Sequence, residues 1–579
     1  MKFNNLKYGV LATALMFGVS ACDNFLDRPT IDNYNTSNYY ETDDQCISGV
    51  NYLYNSPWYD FQRGFIKVGE VLSGNYYWGS SPYLTFTVNG TDQDLVNMSY
   101  SLWAVIGHAN TVYDNISGSP ASQSVKDQCM GECLTWKALA YFYLVRSFGD
   151  VPIIHNNTDE LVDGTYNNKY KVLKADVYEY IIMTLEKAME LLPRSSDPGR
   201  IDYYCAEGLL AKVYLTKAGV SGSLNADDLQ RAATYAKDVI DNSGRQLLGN
   251  YADVFRLANN ESEESLIAWR WTAEGNTWTS QNTLQSDLAI DGFDEFGDCW
   301  GGWSGLSVDL QEAFGVRLLE QSPDSWINAT DTRCQATMLL PGCTYSYFWQ
   351  DKGGFDYLRF IYDETGEYNA AATGTLQSAT GTNTVKHLYG NAQDHVAGVG
   401  HSAAYMKNSL ATHILRLSDV YLIYAEAMMG TAKQTSDASA IDAYFAVRQR
   451  AIPTLDDSHR PTTLTWEDVW KERRLELAME GDRWYDYVRV AYYDPQFCIN
   501  ELTSQKRNSF VGLGDLYEAY YNTGSWSVNP DAMYYDDTVA APNVTADSFT
   551  LPFPTEDVVF NPHLMEDPIH EDVRSVYSY

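Results

Sequence analysis

Basic residues are scarce in this sequence. Its 579 residues include 40 lysines and arginines against 76 aspartates and glutamates, which gives a formal net charge of −36 at pH 7. A surface that binds nucleic acid needs clustered basic side chains to neutralise phosphates, and an anionic membrane attracts the same side chains. The composition therefore argues against nucleic acid as a partner and against adsorption of the folded surface to an anionic membrane.

The short motifs of common catalytic and metal sites are also missing. The sequence contains no H-E-x-x-H, G-x-S-x-G, P-loop or G-x-G-x-x-G element. Its nine histidines lack the spacing of a zinc site, and no Asp-rich calcium loop is present. We therefore expect no metal and no cofactor. A glycoside hydrolase stays open, because its two carboxylates have no universal sequence signature.

Long apolar runs are absent beyond the N-terminus. Lys2 and Lys7 accompany an apolar run at 9–19 that is too short to span a bilayer as a helix. The run ends in VSAC (19–22), which resembles the lipobox of bacterial lipoproteins. We expect a signal peptide at 1–21, lipidation of Cys22 and anchoring through acyl chains. An ordinary secretory signal with a chance cysteine is the alternative.

The other eight cysteines form no disulfide pattern. They are scattered along the chain without a C-x-x-C pair. A chain of this size has enough core to fold without bridges, so buried free thiols are expected. Cys299 stands out because it is next to Trp300.

Helical periodicity dominates two parts of the chain. Apolar and alanine residues recur at i, i+3, i+4 and i+7 in segments 133–149, 175–193, 204–219, 228–244, 413–430, 437–451 and 465–489. Successive pairs look like tetratricopeptide hairpins, which have a period of about 34 residues and bury a core by stacking. The pattern predicts a mainly α fold with a tetratricopeptide-like helical-repeat scaffold.

Two regions interrupt this scaffold. Residues 245–412 and 500–579 are rich in glycine, polar and aromatic residues and show few helical patterns. We predict an N-terminal helical-repeat part at 22–244, a large irregular, aromatic-rich insertion at 245–412 and a C-terminal helical-repeat part at 413–499. An irregular C-terminal region at 500–579 completes one compact body over 22–579.

The segment 465–489 carries a dense charge pattern. Three glutamates repeat every four residues, so one long helix would place them on one face. Three arginines accompany them; the six residues are Glu472, Glu476, Glu480, Arg473, Arg474 and Arg483. We interpret this as an ion-paired helix that holds neighbouring elements together, rather than as a catalytic site.

Several motifs resemble, in order, those of the SusD/RagB family, the surface glycan-binding lipoproteins of Bacteroidetes. They are CDNFLD (22–27), LWAVIGHANTVYDNI (102–116), GECLTWKALAYFYLVRSFGDVP (131–152), HILRLSDVYLIYAEA (413–427), AVRQRA (446–451), ERRLELAMEGDRWYDYVR (472–489) and LPFPTEDVVFNPHL (551–564). The stretch CLTW (133–136) departs from the family, whose members more often carry an arginine and further small residues there.

The resemblance implies a non-catalytic lipoprotein on the cell surface, in the outer membrane. Such a protein binds an oligosaccharide and delivers it to a SusC-like TonB-dependent transporter that it covers as a lid. An α-glucan and a fructan are both compatible with the residues. Two alternatives stay open: a surface-anchored glycoside hydrolase, and a RagB-like lid for peptide uptake.

Aromatic residues outside the helical segments are the candidates for sugar contact, because C–H faces of sugar rings pack on aromatic planes. They form the clusters NYYWGSSPY (75–83), CWGGW (299–303) and YSYFW (345–349). The family builds its glycan site from an early loop and the middle insertion, which resembles the placement of the first two clusters. The candidates for ring contact are Trp78, Trp300, Trp303, Tyr77, Tyr347 and Trp349, and those for hydroxyl recognition are Asn75, Asp298 and Arg270.

Two further expectations concern packing. The glycines around Trp300 are expected to leave clearance for a ligand, with Trp303 bracing the loop from behind. Aromatics on the helical segments are expected in the core: Trp136, Tyr141, Phe142, Trp466, Trp470 and Trp484.

Overall fold

The computed structural model describes residues 39–165, 167–273, 278–399 and 404–579. The predicted signal peptide and the predicted lipidation site Cys22 lie outside the described residues. Within the described ranges, no helix combines the length and the apolar content that crossing a bilayer requires.

Helices account for most of the regular structure. Those of eight or more residues are α1 Asp43–Asn51, α2 Gln93–Ser117, α3 Gln123–Phe148, α4 Lys174–Leu191, α5 Tyr203–Lys217, α6 Ala226–Asn242, α7 Ala392–Val399, α8 Leu417–Ala427, α9 Ala438–Ala451, α10 Trp466–Glu476, α11 Arg483–Ala491, α12 Pro495–Ser504 and α13 Leu513–Thr523. Shorter helices are Gln62–Ile66, Pro82–Thr85, Asn157–Val162, Leu284–Leu288, Val308–Ala313, Asp324–Ile327, Arg333–Thr337, Tyr357–Tyr362, Thr555–Phe560 and Val573–Val576. The predicted mainly α class is confirmed.

The long helices stack in chain order. Helix α2 packs on α3, α3 on α4, α4 on α5 and α5 on α6, and α6 then packs on α8 and α8 on α9. Side chains of Asp92, Asn225 and Asp437 cap the first turns of α2, α6 and α9 by accepting backbone N–H bonds. The six helical aromatics predicted to be core are all buried. This sequential stacking is the arrangement that the tetratricopeptide-like pattern predicts.

Strands are short and pair antiparallel in twos. The strands are β1 Tyr76–Tyr77, β2 Ser265–Trp269, β3 Gly305–Leu306, β4 Met338–Leu339, β5 Thr344–Tyr345, β6 Phe355–Asp356, β7 Asn383–Thr384, β8 Thr412–Arg416, β9 Gln434–Thr435, β10 Leu464–Thr465, β11 Phe510–Val511 and β12 Tyr534–Tyr535. The pairs are β1–β3, β2–β8, β4–β7, β5–β6, β9–β10 and β11–β12. The β2–β8 ladder runs from Ser265↔Arg416 to Trp269↔Thr412 and joins the two ends of the insertion to each other.

The insertion and the C-terminal region contain more regular structure than their sequences suggest. Short helices and six of the paired strands lie within 245–411, and α13 lies wholly within the C-terminal region predicted to be irregular. None of these helices except α13 exceeds eight residues, so each is too short to show a clear helical period.

The predicted single helix over 465–489 is wrong. Helix α10 ends at Glu476 and α11 begins at Arg483. Between them Met479 and Gly481 adopt positive φ angles of 64° and 73°, which end the helix. The turn lies tightly against Phe65: a Cβ on Gly481 would come within 2.3 Å of its ring. Tertiary packing therefore decides this break.

The three glutamates are ion-paired as predicted, but with partners far along the chain rather than with the nearby arginines. Glu476 accepts from Arg450 at 2.5 Å and from Arg416 at 3.1 Å, and Glu480 accepts from Arg416 at 2.6 Å. The remaining partners of the three glutamates are Arg333, Arg448 and Lys386. Of the nearby arginines, Arg473 pairs with Asp419 and Asp486, Arg474 with Asp309, and Arg483 with Asp486. The buried cluster joins α9, α10 and β8 to the insertion.

The eight cysteines of the described chain are all free and buried. The prediction of buried thiols without a disulfide framework is confirmed.

Candidate functional site

A two-residue ladder brings the first two aromatic clusters together. Tyr76 of β1 pairs with Leu306 of β3, and Tyr77 pairs with Gly305. Trp78 follows β1 directly, and Trp303 precedes β3 by two residues. Because the strands run antiparallel, residues after β1 and residues before β3 meet at the same end of the ladder.

These residues line a surface cleft of about 450 Å³. The lining comprises Arg63, Lys67, Trp78, Gly79, Ser80, Ser81, Asp287, Trp300, Gly301, Trp303 and Ser304. Trp300 is 45% exposed and Trp303 is 67% exposed, while Trp78 is partly buried. Three tryptophans thus surround one open, partly polar cleft.

A charged pair forms one side of the cleft and orients an indole. Arg63 donates from Nε and Nη2 to the two carboxylate oxygens of Asp287, at 3.1 and 2.8 Å. Trp300 donates from Nε1 to Asp287 Oδ1 at 2.8 Å. The hydrogen bond to Asp287 raises the pKa of Arg63, so this guanidinium stays cationic. Its side chain is 48% exposed, which leaves N–H groups accessible from the cleft.

A lysine lies on the second side of the cleft. Lys67 Nζ lies 4.9 Å from the centroid of the Trp78 ring and forms an ion pair with Asp94 in the first turn of α2. Tyr76 packs edge-on against Trp78 and shares a hydrogen bond of 2.7 Å with the hydroxyl of Ser304. These contacts fix the Trp78 loop relative to the Trp300 loop.

The glycines between the tryptophans allow the loop to lie close to the protein body. A Cβ on Gly301 would come within 2.5 Å of the Leu288 backbone, and one on Gly302 within 1.7 Å of the Gln377 side chain. The missing side chains therefore face inward, and the expectation that these glycines provide clearance for a ligand is wrong. Trp303 does not brace the loop from behind; it projects into solvent.

Cys299 anchors the same loop. Burial raises the pKa of its thiol, with a further rise from the carboxylate of Asp294, to which it is hydrogen-bonded. The residue is 5% exposed. Its position explains why a small apolar residue precedes Trp300: the side chain turns inward while the indole turns outward.

Two further exposed aromatics contact residues that are close in sequence to the cleft lining. Trp278 is 49% exposed and is hydrogen-bonded to Tyr59. The charges of Asp287 and Arg63 affect the pKa of Tyr59. Tyr405 is also exposed, and its backbone N–H donates to Asp298 at 2.8 Å. Neither residue was predicted from the sequence, since each is an isolated aromatic without a neighbouring cluster.

The remaining predicted residues lie elsewhere. Trp349 is fully buried and donates from Nε1 to the carbonyl of Phe293. Asn75 is buried between Glu70 and Arg474. Tyr347 packs its ring under Arg256, with 4.0 Å between the guanidinium and the ring centroid.

Arg270, Asp298 and Tyr77 likewise have structural contacts outside the cleft lining. Arg270 pairs with Glu261 at 2.5 Å in a separate depression. Asp298 holds the backbone at Tyr405, and Tyr77 forms the β1–β3 ladder. Buried Trp349 and Asn75 offer no surface to a ligand in this structure.

The polar groups of the cleft were not predicted. Arg63 and Lys67 belong to a continuous helical stretch at 62–71, and Asp287 to the short helix Leu284–Leu288. Their sequence neighbours show no pattern that distinguishes them from ordinary surface charges. Among the described residues that line the cleft, Asp287 is the one carboxylate.

Two family models and a related protein match this chain. The profile of the SusD family matches residues 320–570, and a profile described as "Starch-binding associating with outer membrane" matches residues 25–215. A "SusD-like protein" of Bacteroides ovatus is 31% identical over 582 aligned residues, covering 98% of each chain.

Solved structures agree with this assignment. A crystal structure with a xylogluco-oligosaccharide shares 30% identity and a TM-score of 0.75, covering 91% of this chain and 99% of that one. A "Laminarin binding SusD-like protein" shares the fold at 21% identity and a TM-score of 0.60, covering 90% of this chain and 98% of that one. The family recognised in the sequence motifs is confirmed: the chain belongs to the SusD family.

Proposed function

We propose that this protein binds an oligosaccharide in the cleft of Trp78, Trp300 and Trp303 and does not cleave it. The observation that carries the proposal is the convergence of the three tryptophans, two of them largely exposed, on one cleft with a charged rim. Large exposed aromatic surfaces are uncommon on soluble proteins and mark binding sites.

The cleft supplies both kinds of contact that a sugar requires. Indole faces cover the apolar C–H face of a ring, and each large aromatic side chain offers on the order of 150–250 Å² of surface. Arg63 donates hydrogen bonds to sugar hydroxyls, and Asp287 accepts hydrogen bonds from them. A carboxylate has about four acceptor sites, and Asp287 uses three of them within the protein. The exposed hydroxyl of Ser80 adds a donor and acceptor at the rim.

The arrangement of carboxylates in the cleft supports binding rather than hydrolysis of the oligosaccharide. A glycosidase needs two carboxyl groups on either side of the scissile bond, roughly 5 to 9.5 Å apart. Asp287 has no carboxylate partner in the described lining, and its own oxygens are engaged by a guanidinium and an indole. This arrangement supports a non-catalytic role over the surface hydrolase.

The relatives suggest which glycan to test first. A structural neighbour at 30% identity was solved with a xylogluco-oligosaccharide. We therefore propose a glucan chain of this kind as the first ligand, with α-glucan and fructan oligosaccharides as comparators.

The proposed setting is the cell surface. A lipid anchor at Cys22 would hold the protein on the outer membrane, and a SusC-like TonB-dependent transporter would receive the oligosaccharide. The profile described as associating with the outer membrane and the lipobox-like VSAC support this setting.

Calorimetry on the purified protein tests the proposal. Xylogluco-, α-gluco- and fructo-oligosaccharides and a mixed peptide library are titrated, and each glycan is then analysed for products by chromatography. We expect saturable binding of one glycan class without products. Release of shorter sugars would establish a hydrolase, and binding of peptides alone would establish a peptide lid.

A further inference from the structure

A second cavity, of about 530 Å³, lies where α9, α10, α11 and α12 meet. Its lining is half polar and contains four arginine or lysine side chains, at positions 448, 471, 474 and 483. A volume of this size falls in the range of small-molecule pockets, roughly 300–1,000 Å³. Basic residues are the minority charge in this chain, so their concentration around one cavity requires an explanation.

Arg483 is a buried cation of this lining without a close carboxylate partner. Its side chain is 3% exposed, yet the nearest carboxylate, Asp486, is 3.7 Å from Nη1. Nη1 donates to the carbonyl of Trp470 at 3.2 Å, and Nε is buried without a hydrogen-bond partner. The guanidinium stacks 3.7 Å from the centroid of the Trp470 ring, so that indole face is already covered.

The electrostatics of Arg483 differ from those of its neighbour Arg473. Burial lowers the pKa of Arg483, and Tyr487 and Asp486 only partly oppose this effect. Arg473 is equally buried, but Asp419, Asp486 and Asp482 outweigh its burial and raise its pKa. A buried guanidinium without full compensation is costly, and an anion in the adjoining cavity would supply the missing charge.

Lys471 adds a second cation to the same cavity. It lies on α10, its side chain is exposed, and it forms no ion pair with any described residue. Lysine is a common ligand of carboxylate, phosphate and sulfate groups as a mobile point charge. Arg483 and Lys471 together leave positive charge at both a buried and an exposed point of the lining.

The carboxylates of the lining are already occupied. Glu472 accepts from Arg333 at 2.6 Å and from Arg448 at 2.9 Å. Asp468 accepts from the N-cap residue Thr465 in the capping box of α10, and Glu501 accepts from Trp470 Nε1 at 3.0 Å. The carboxylates of the lining therefore form no ion pair with Lys471 and offset the burial of Arg483 only in part.

We propose that this cavity is a second ligand site, which binds a small organic anion through a carboxylate or sulfate group placed on Arg483 and Lys471. The cavity holds one or two sugar-sized rings, so an acidic sugar is a fitting ligand class. The site is independent of the tryptophan cleft, because the two linings share no residue.

Titration of the purified protein with sodium glucuronate, glucose 6-sulfate, inorganic sulfate and neutral glucose tests the proposal. We expect at least one of the three anions to bind and glucose to show no binding. Lys471→Ala should weaken the anion roughly tenfold, as expected for loss of one charge-assisted contact, and Lys471→Arg should restore it. Glucuronate against glucose 6-sulfate distinguishes a carboxylate site from a sulfate site.

Lys187 on α4, whose side chain is 30% exposed, provides the control, since it lies outside the cavity and pairs with Glu190 at 3.0 Å. Lys187→Ala should leave anion affinity unchanged, and Trp300→Ala should also leave it unchanged. The proposal is overturned if no anion binds at millimolar concentration, or if Lys471→Ala and Lys187→Ala weaken it equally. Because Lys471 is exposed, the result does not depend on a destabilised fold.

Discussion

At the residue scale, burial divides the tryptophans of the aromatic clusters into two kinds. Trp303 projects into solvent and Trp300 is half exposed, whereas Trp349 has no exposed surface. Trp349 contacts the rings of Phe355, Phe360 and Tyr368. The same residue type therefore serves a surface cleft in one loop and the core in another.

Truncation should separate these two roles. Trp349→Ala should lower the free energy of unfolding by about 3–5 kcal/mol, because it leaves a large cavity. Trp303→Ala should change it by less than about 0.5 kcal/mol, as expected for an exposed position. Denaturant unfolding of the two variants measures the difference, and equal losses would contradict the assignment of Trp303 to the surface.

The half-exposed Arg63 is predicted to contact the ligand. Arg63→Gln should weaken glycan binding roughly tenfold, since hydrogen bonds from charged groups contribute about 1.5–3 kcal/mol. Arg359 is the matched control: its side chain is 46% exposed and it pairs with Asp363 at 3.0 Å. Arg359→Gln should bind glycan as the wild type does. Equal affinities of the Arg63 and Arg359 variants in calorimetry would remove Arg63 from the site.

Sequence reasoning at this scale found the cleft's tryptophans but not its charges. Trp78, Trp300 and Trp303 were identifiable because each stands in a glycine- or serine-rich stretch without helical period. The same criterion also selected Trp349, which has similar neighbours in sequence. Its ring, however, is covered by residues as far away as Tyr368, 19 positions along the chain, and Phe293, 56 positions along the chain. Coverage by distant residues is a tertiary property that local composition does not encode.

At the element scale, the loop of residues 299–304 is positioned by backbone contact. Trp300 N–H donates to the carbonyl of Ser286 at 2.9 Å, and Gly301 N–H donates to that of Ala289 at 2.8 Å. These bonds fasten the loop to the helix Leu284–Leu288 and so place the Trp300 indole on Asp287. Close approach of two backbones requires glycine at position 301.

Adding one methyl group to the loop tests this geometry. Gly301→Ala should displace the loop, because its Cβ would lie 2.5 Å from the Leu288 carbonyl carbon. We expect a loss of about 1–3 kcal/mol in unfolding free energy together with weaker glycan binding. Gly249→Ala is the control, since nothing lies within 4 Å of its Cβ position. Wild-type affinity and stability in the Gly301 variant would contradict the proposed loop contact.

The sequence predicted helix positions correctly where the helical periodicity extended over many residues. The predicted segment 204–219 corresponds to α5 and the segment 437–451 to α9, each within about two residues. The segment 465–489 continued the same apolar period across a turn that Phe65 and Glu70 impose from a distant part of the chain. The pairing of β1 with β3, which assembles the cleft, joins residues more than 200 positions apart and has no local signal.

At the scale of the whole molecule, the buried ion cluster links the scaffold to the insertion. Glu476 contacts arginines from three separate segments, at positions 333, 416 and 450. Burial alone would raise the pKa of Glu476, but the guanidiniums of Arg450, Arg416 and Arg333 outweigh it and lower the pKa to about 2. Because the folded-state pKa lies below the ordinary value of 4.5, Glu476 stabilises the fold above pH 4.5 and loses this contribution as the pH falls towards 2.

Removal of this charge should therefore affect both stability and its pH dependence. Glu476→Gln should cost about 3–5 kcal/mol near neutral pH, because it leaves buried guanidiniums uncompensated. Its melting temperature should fall less steeply than that of the wild type between pH 4.5 and 2. Glu190→Gln, at a surface pair whose glutamate is 68% exposed, should match the wild type. Parallel melting profiles for the Glu476 variant and the wild type would contradict the role of the cluster.

We propose that one cleft, assembled by the β1–β3 ladder, binds the glycan. The most direct measurement is calorimetry of the triple variant Trp78→Ala, Trp300→Ala and Trp303→Ala, with the member of the glycan panel that binds the wild type most tightly. We expect that the wild type binds, that the triple variant shows no measurable binding, and that the circular dichroism spectra of the two proteins are the same. Wild-type affinity in a folded triple variant would contradict it.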